Sequence, residues 1–328
     1  MNVLLTIDTE VHAIHPDWRS DHLRRDIRRD IEGIVGNRCA GIDYQLDLLA
    51  RHGLKGTFMV EPLFSGAPGV EEGCLSHVVH RLRSAGHDVQ LHIHCEWIAN
   101  YPAGAFGFPY RGHLQRYYSL SEQEQIIHVA SRLLQDSGAP APIAFRAGGY
   151  AANLETMDAL AGAGIRFDTS FNVDFAPAKC TLPAPPSLGA AFLMRGVQEY
   201  PVAAFEDYPG HFRPLQICAC GGRELIHALE QAEQCGWGFV VIVGHSFEML
   251  AGRREGKLRI REEVVSRMQQ LCMFLGENKN RFRTVGFDDL QNERIDTRMC
   301  PPNIRGALLN TAGRTVSQAM NRVRGLLG

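Results

Sequence analysis

The chain opens Met1-Asn-Val-Leu-Leu-Thr-Ile-Asp-Thr-Glu10, and the rest is read outward from this stretch. Val3–Ile7 is apolar enough to be buried on both faces of a sheet, and it runs straight into two carboxylates, Asp8 and Glu10. With no basic n-region and an acid at position 8, the segment is expected to be the first strand of the fold and not a secretory signal. Runs of the same kind recur at Gly56–Val60, Val89–Leu91, Ile143–Phe145, Phe239–Val243 and Thr284–Phe287. Helical patterns lie between them at Arg38–Arg51, Leu75–Ala85, Ser121–Ser137, Leu154–Ala163, Arg223–Gln234 and Arg261–Glu277. Ser121-x-x-Glu124 has the spacing of a capping box, and Gly53, Gly86, Gly138, Gly164 and Gly236 stand where helix C-caps belong. This alternation predicts a parallel α/β sheet or barrel, with the chemistry at the C-terminal ends of the strands.

Composition narrows the function. The 328 residues are 45% hydrophobic and 21% charged, and 34 Lys+Arg against 36 Asp+Glu leave a net charge of −2. That balance excludes a disordered chain and lacks the basic excess of a nucleic-acid binder. No apolar run approaches the roughly 20 residues that span a bilayer, so no transmembrane segment is expected. Nine cysteines, with no Cys-x-x-Cys among them, point to reduced thiols in a cytoplasmic-type compartment. Arg19–Arg29 is balanced by Asp17, Asp21, Asp26 and Asp30 and is expected to be a solvated helix face.

The polar residues obey the strand-end rule. Asp8 and Glu10 follow the first strand, His92, His94 and Glu96 follow Val89–Leu91, Arg146 follows Ile143–Phe145, and His245 follows the run Phe239–Gly244. Imidazole and carboxylate are the ligand types that hold Zn²⁺ or a similar ion while leaving a position open for water. His92 and His94 share a face in an extended chain, whereas His92 and Glu96 share one if a helical turn begins there. Gly148 and Gly149 after Arg146 let the backbone approach a ligand closely. Together these parts suggest metal-assisted hydrolysis, in which a carboxylate takes a proton from water, an imidazole protonates the leaving group, and an arginine keeps the base ionised.

Seven segments, Thr6–Glu10, Gly53–Val60, Gly86–His92, Phe145–Tyr150, Phe167–Phe171, Glu199–Val202 and Val243–His245, stand in an order that resembles the NodB-homology polysaccharide deacetylases, carbohydrate esterase family 4. The resemblance covers roughly residues 3–290, and it is nearest to the branch found in lipopolysaccharide and O-antigen biosynthesis loci. It implies a distorted (β/α) barrel of seven or eight strands, with Asp8 as catalytic base, Glu10 and His92 as metal ligands, Arg146 holding the base and His245 as general acid. Asp168 falls where the family has an acid supporting that histidine. The chain departs from the family in three places. Asp8-Thr9-Glu10 replaces adjacent aspartates, so the roles of the two carboxylates are open to exchange. The second metal histidine falls on Glu96, with His94 beside it, so either completes the site. Gly148-Gly149 stands where Pro-Tyr often follows the arginine, and its backbone amides can still serve an oxyanion.

The resemblance implies one divalent ion, with zinc as first choice, and removal of an N-acetyl, secondarily an O-acetyl, group from a sugar or oligosaccharide. Hydrolysis of a formyl-sugar or small cyclic amide, and a degenerate sugar-binding role, stay open. Trp97–Tyr118 holds seven aromatics in 22 residues, suited to sugar faces or to a small core of its own, and the irregular stretch Pro177–Pro186 is a candidate border of the cleft. The barrel is expected over residues 1–295, and residues 296–328 form an extension. From Thr297 onward this extension has five arginines and no acid, with Leu308, Ala312, Val316, Ala319, Val323 and Leu326 at helical spacing. Such a helix packs on the barrel or lies on an anionic membrane face.

Overall fold

Alternation in β1 (Asn2–Thr9) sets the two layers of the molecule. Val3, Leu5 and Ile7 join the large core beneath the helices, while Leu4 joins a separate inner cluster, which puts Thr6 and Asp8 on the inner side as well. The computed structural model describes residues 1–11, 22–102, 104–112, 115–252, 257–293 and 300–306. After β1 come α1 (Leu23–Asp30), a small hairpin of β2 (Ile34–Val35) and β3 (Arg38–Cys39), then α2 (Ile42–His52) and β4 (Thr57–Val60). The chain continues through α3 (Cys74–Ser84), β5 (Asp88–Ile93), α4 (Leu120–Asp136), β6 (Ala144–Ala147), α5 (Leu154–Gly162) and β7 (Phe167–Asp168). An antiparallel pair, β8 (Phe192–Met194) and β9 (Val197–Glu199), precedes a second hairpin of β10 (Ala204–Tyr208) and β11 (His211–Pro214). The last elements are α6 (Gly222–Gln234), β12 (Phe239–His245), β13 (Leu250–Ala251), β14 (Arg259–Ile260), α7 (Glu262–Glu277), β15 (Arg283–Thr284) and β16 (Ile304–Arg305).

The main sheet runs β12-β1-β4-β5-β6-β7-β9-β8, with β15 beside the start of β1, and every pairing in it except β8–β9 is parallel. Loop backbone closes the gap between β9 and β12: Ala203 N–H donates to the Val241 carbonyl (3.1 Å) and Ile217 N–H to that of Val243 (3.0 Å). The sheet thus curls into the distorted α/β barrel expected from the sequence. Leu4, Met59, Ala144, Phe167, Val241 and Phe287 form its apolar floor. The inward positions one or two steps further along each strand are polar, so the upper half of the barrel is a chemical chamber on an oily base.

Several expectations shift in detail. Arg38–Arg51 is not one helix, because Arg38 and Cys39 pair in β3 and the helix begins only at Ile42. Thr284–Phe287 splits at Gly286, leaving a two-residue strand and a 3-10 turn, Phe287–Leu290. The capping box of α4 lies two residues earlier than expected: Glu122 accepts from the backbone N–H (2.8 Å) and hydroxyl (3.0 Å) of Ser119. The expected solvated face at Arg19–Arg29 is only part of the story. Asp26 and Asp30 in α1 are buried, and Arg29 donates to them at 2.7 and 2.6 Å. Charge balance along a sequence does not reveal which acids a helix turns inward. All five expected C-cap glycines lie in the left-handed region. No disulfide joins any of the nine cysteines, and among the described residues no helix is long and apolar enough to cross a membrane.

Residues 300–306, assigned above to the extension, run along the barrel. The Pro301 carbonyl accepts from Ser187 Oγ (2.7 Å), the Pro302 carbonyl accepts from Trp237 Nε1 (2.8 Å), and β16 pairs with β10. The amphipathic pattern from Leu308 to Leu326 lies outside the described residues.

Candidate active site

Two-residue alternation brings Asp8, His92, Arg146 and His245 to the inner face at the tops of β1, β5, β6 and β12. Register then sets them side by side, Asp8 opposite His245 and His92 opposite Arg146. Arg146 is wholly buried. Its guanidinium donates to Asp8 Oδ1 (2.5 Å), Thr6 Oγ1 (2.7 Å) and the Thr169 carbonyl (3.2 Å). Burial pushes the Asp8 carboxyl upward, but Arg146, with His92 and His245, outweighs it and holds Asp8 below its ordinary range. Asp8 is therefore an ionised carboxylate with one oxygen anchored and the other, Oδ2, facing His245 Nε2 at 3.8 Å.

Glu10, His92 and His94 form the group of three metal-ligand side chains found among the described residues, their ligand atoms all within 4.8 Å of one another. Glu10 Oε2 is 2.5 Å from His94 Nε2 and 3.4 Å from His92 Nε2. Each imidazole is oriented from behind. His92 Nδ1 lies 2.8 Å from the Arg146 carbonyl, which can only accept, so Nδ1 carries a proton and Nε2 is turned toward the cluster. His94 Nδ1 lies 3.2 Å from Glu96 Oε2. Glu96 thus stands behind His94 and outside the three-residue cluster. Burial works against charge on both Glu10 and His94, yet their mutual attraction wins: Glu10 sits well below its ordinary value, and His94, with Glu96 adding to it, well above. Two imidazole nitrogens and a buried carboxylate suit a borderline divalent cation, whose charge would take the place of that proton.

Gly148 is what lets His94 sit here. A Cβ on it would meet the Ile93 carbonyl at 2.6 Å and the His94 ring at 2.9 Å. The next two residues turn through the left-handed region, Gly149 at φ 57° and Tyr150 at φ 61°. A tyrosine adopts that conformation at a cost of about 1–3 kcal/mol. Its ring is held by burial and by packing on Phe175, 4.8 Å between centroids.

His245 closes the other side. Its Nδ1 lies 3.4 Å from Glu248 Oε1, which also accepts from Gln216 Nε2 at 2.8 Å. Burial disfavours the imidazolium, but Glu248 and Asp8 favour it more and raise His245 to about 9. The carboxylate beside His245 is thus Glu248, three residues further along its own turn, a residue the sequence patterns above do not pick out. Asp168 lies elsewhere. It accepts from the Ser170 hydroxyl (2.7 Å) and backbone N–H (3.0 Å) and pairs with Glu199 across β7 and β9. Burial pushes both acids up, and the Asp168 charge pushes Glu199 further, well above its ordinary range.

Glu61 also ends a strand, β4, but its oxygens accept from the N–H groups of Leu63 (2.9 Å) and Phe64 (3.3 Å), and burial raises it to about 8. It caps a turn, near enough to the cluster for His94 and Glu10 to act on its charge, without being one of the three ligands. Most of the aromatic stretch packs on itself: Trp97, Phe106 and Tyr118 are buried, and Phe106–Phe108 and Phe108–Tyr118 centroids are both 5.7 Å apart. Tyr110 and Tyr117 remain exposed.

No family model and no curated protein matches the chain. Solved structures do. It is similar to a Mycobacterium smegmatis protein assigned as a polysaccharide deacetylase, with TM-score 0.50, 15% identity and 88% of each chain covered. It is similar to the 4-alpha-glucanotransferase of Thermococcus litoralis at TM-score 0.50 and 11% identity, covering 93% of this chain and 41% of that one. A family 4 carbohydrate esterase from Streptomyces lividans, in complex with acetate, aligns at TM-score 0.43 and 11% identity over 92% of this chain and 97% of that one. The likeness is one of fold, and because proteins described by such different reactions share it, chemistry has to be argued from the side chains.

Proposed function

We propose that the chain is a metal-dependent hydrolase that removes an acetyl group, in the first instance from nitrogen, from a sugar in surface-polysaccharide or lipopolysaccharide biosynthesis. One observation carries this reading: an anchored carboxylate, a three-ligand cluster and a carboxylate-backed imidazole converge at the tops of neighbouring strands. Glu10, His92 and His94 would hold one divalent ion, zinc by first choice, which when bound supplies Lewis acidity toward an acyl oxygen and acidifies water. Asp8, kept ionised by Arg146, accepts the proton of the attacking water. His245, charged at neutral pH, delivers a proton to the departing nitrogen. Backbone N–H groups at Gly148–Tyr150 are the candidates to receive the developing oxyanion. Asp8, Glu10 and His92 are 2–3% exposed, and His94 and His245 only 17% and 21% by side chain, so a small acyl group suits the chamber better than a whole sugar ring. Nine cysteines without a disulfide support a cytoplasmic setting.

Elemental analysis of wild type and His92→Ala tests the metal site: about one ion per chain is expected, lost in the variant. Acetate release from N- and O-acetylated sugars, free and nucleotide-linked, then tests the reaction, with formyl-sugars and cyclic amides in the same panel. Neither protein taking up metal from excess zinc would leave a sugar-binding relative in place of an enzyme.

A further inference from the structure

Behind His245 lies a cavity of about 10 Å³, outside the hydrolytic chamber, lined by Gln45, His245 and Glu248 with apolar walls that include Ile7, Val264 and Met268. A single water needs roughly 10–15 Å³ measured this way, and two to four polar partners. Among the described residues, two acceptors on the lining find no hydrogen-bond donor, Gln45 Oε1 and Glu248 Oε2, and both residues are more than nine-tenths buried.

Neither atom can be satisfied by turning its group over. Gln45 Nε2 donates to the carbonyls of His245 (3.0 Å) and Ser246 (3.3 Å), so a flipped amide would set Oε1 against two carbonyl oxygens. Glu248 Oε1 is already taken by Gln216 and faces His245. The Cys218 thiol lies against the same carboxylate, which together with burial pushes the thiol upward, and a thiol is a weak donor. Two buried acceptors beside a space of that size call for a group with two hydrogens to give.

We propose that one ordered water occupies this cavity, donating one hydrogen to Glu248 Oε2 and the other to Gln45 Oε1, and thereby fixes the carboxylate that orients His245. The consequence for the acid rests on the function proposed above, whereas the water itself does not. Glu248 is then held at both oxygens, by Gln216 at one and by the water at the other, and the imidazole inherits that rigidity. Gln45 spans the arrangement, gripping the backbone of His245 with its nitrogen and the water with its oxygen.

Water–protein NOE spectroscopy on full-length protein with labelled methionine methyls decides the matter. Met268 and Met249, both lining the cavity, are expected to show cross-peaks to a slowly exchanging water. In Val264→Ile the added methyl takes the water's place while every polar group stays, so the cross-peaks should vanish and Tm should fall. Wild-type methyls without a water cross-peak, together with a raised Tm in Val264→Ile, would mean a dry void stabilised by filling and would overturn the proposal. The wild-type cross-peaks decide even if the variant fails to fold. Neither readout involves hydrolysis, so a protein inactive on every acetylated sugar can still hold the water, and an active one can lack it.

Discussion

Arg146 shows how much rests on single side chains. It is the cation that makes an ionised carboxylate tolerable at a site where Asp8 is 2% exposed. Replacing it with methionine strands that charge, and buried pairs broken on one side lose about 3–5 kcal/mol. Arg146→Met should therefore lower thermal stability steeply and abolish turnover, as thermal denaturation and acetate release would show. His245 makes a prediction with a sign. Its folded value, about 9, is above the ordinary 6.5, so the protonated form adds stability that is complete below pH 6.5 and is lost as pH rises through about 9. The alkaline limb of kcat/KM should fall in the same window, and Glu248→Gln should move it to lower pH. Asp8, His92, Arg146 and His245 were legible because each ends an apolar run. Glu248 was not: it sits in a turn after β12, where neither a two- nor a 3.6-residue period points to it, and only its distance of three residues from His245 hints at a partner.

Elements carry the next level of specification. β1, β4, β5, β6 and β12 were legible from sequence because both their faces are buried, the outer under helices and the inner within the barrel, which makes long stretches of them apolar. β7, β8 and β9 have two or three residues each and owe their existence to neighbours already in the sheet, so their local patterns say little. The start of α4 shows how spacing alone leaves a choice. Ser119-x-x-Glu122 and Ser121-x-x-Glu124 both fit a capping box, and the chain uses the first. Glu122→Ala should accordingly cost about 1 kcal/mol and Glu124→Ala close to nothing, a difference readable as Tm. The 3-10 turn Gly148–Tyr150 after β6 makes a sharper prediction. Gly148→Ala drives a methyl into the His94 ring and the Ile93 carbonyl, and it should weaken zinc binding about 10- to 100-fold and lower Tm as well, as a competition titration with a chromophoric chelator and thermal denaturation would measure.

At the scale of the whole molecule, an apolar floor below and titratable side chains above divide the barrel between stability and chemistry. The sequence showed this division as hydrophobic runs that end in charge. It did not show how the curled sheet closes, because the closing contacts come from loop backbone around Ala203 and Ile217 and carry no side-chain signature. The basic extension belongs at this scale too. If it seats the protein on anionic lipid, full-length protein should float with anionic liposomes and a chain ending at Gly306 should not. Ending at Gly306 spares β16 and its seat beside β10, so equal behaviour of the two proteins would dismiss the membrane role without a folding defect intervening.

The pairing of β1 with β12 has a consequence for biogenesis. Of the strands described, the earliest made takes as its neighbour one that is made only at Phe239–His245, so Asp8 is synthesised early and His245, opposite it, late. At roughly 5–20 residues per second, the nascent chain carries that first strand for roughly 10–50 s with one side unpaired. A message cut short before the codon for Phe239 would yield a product with a permanently open, apolar central edge, the kind of surface that recruits chaperones or other chains. Quality control during translation, more than the stability of the finished barrel, is where such a topology is most exposed.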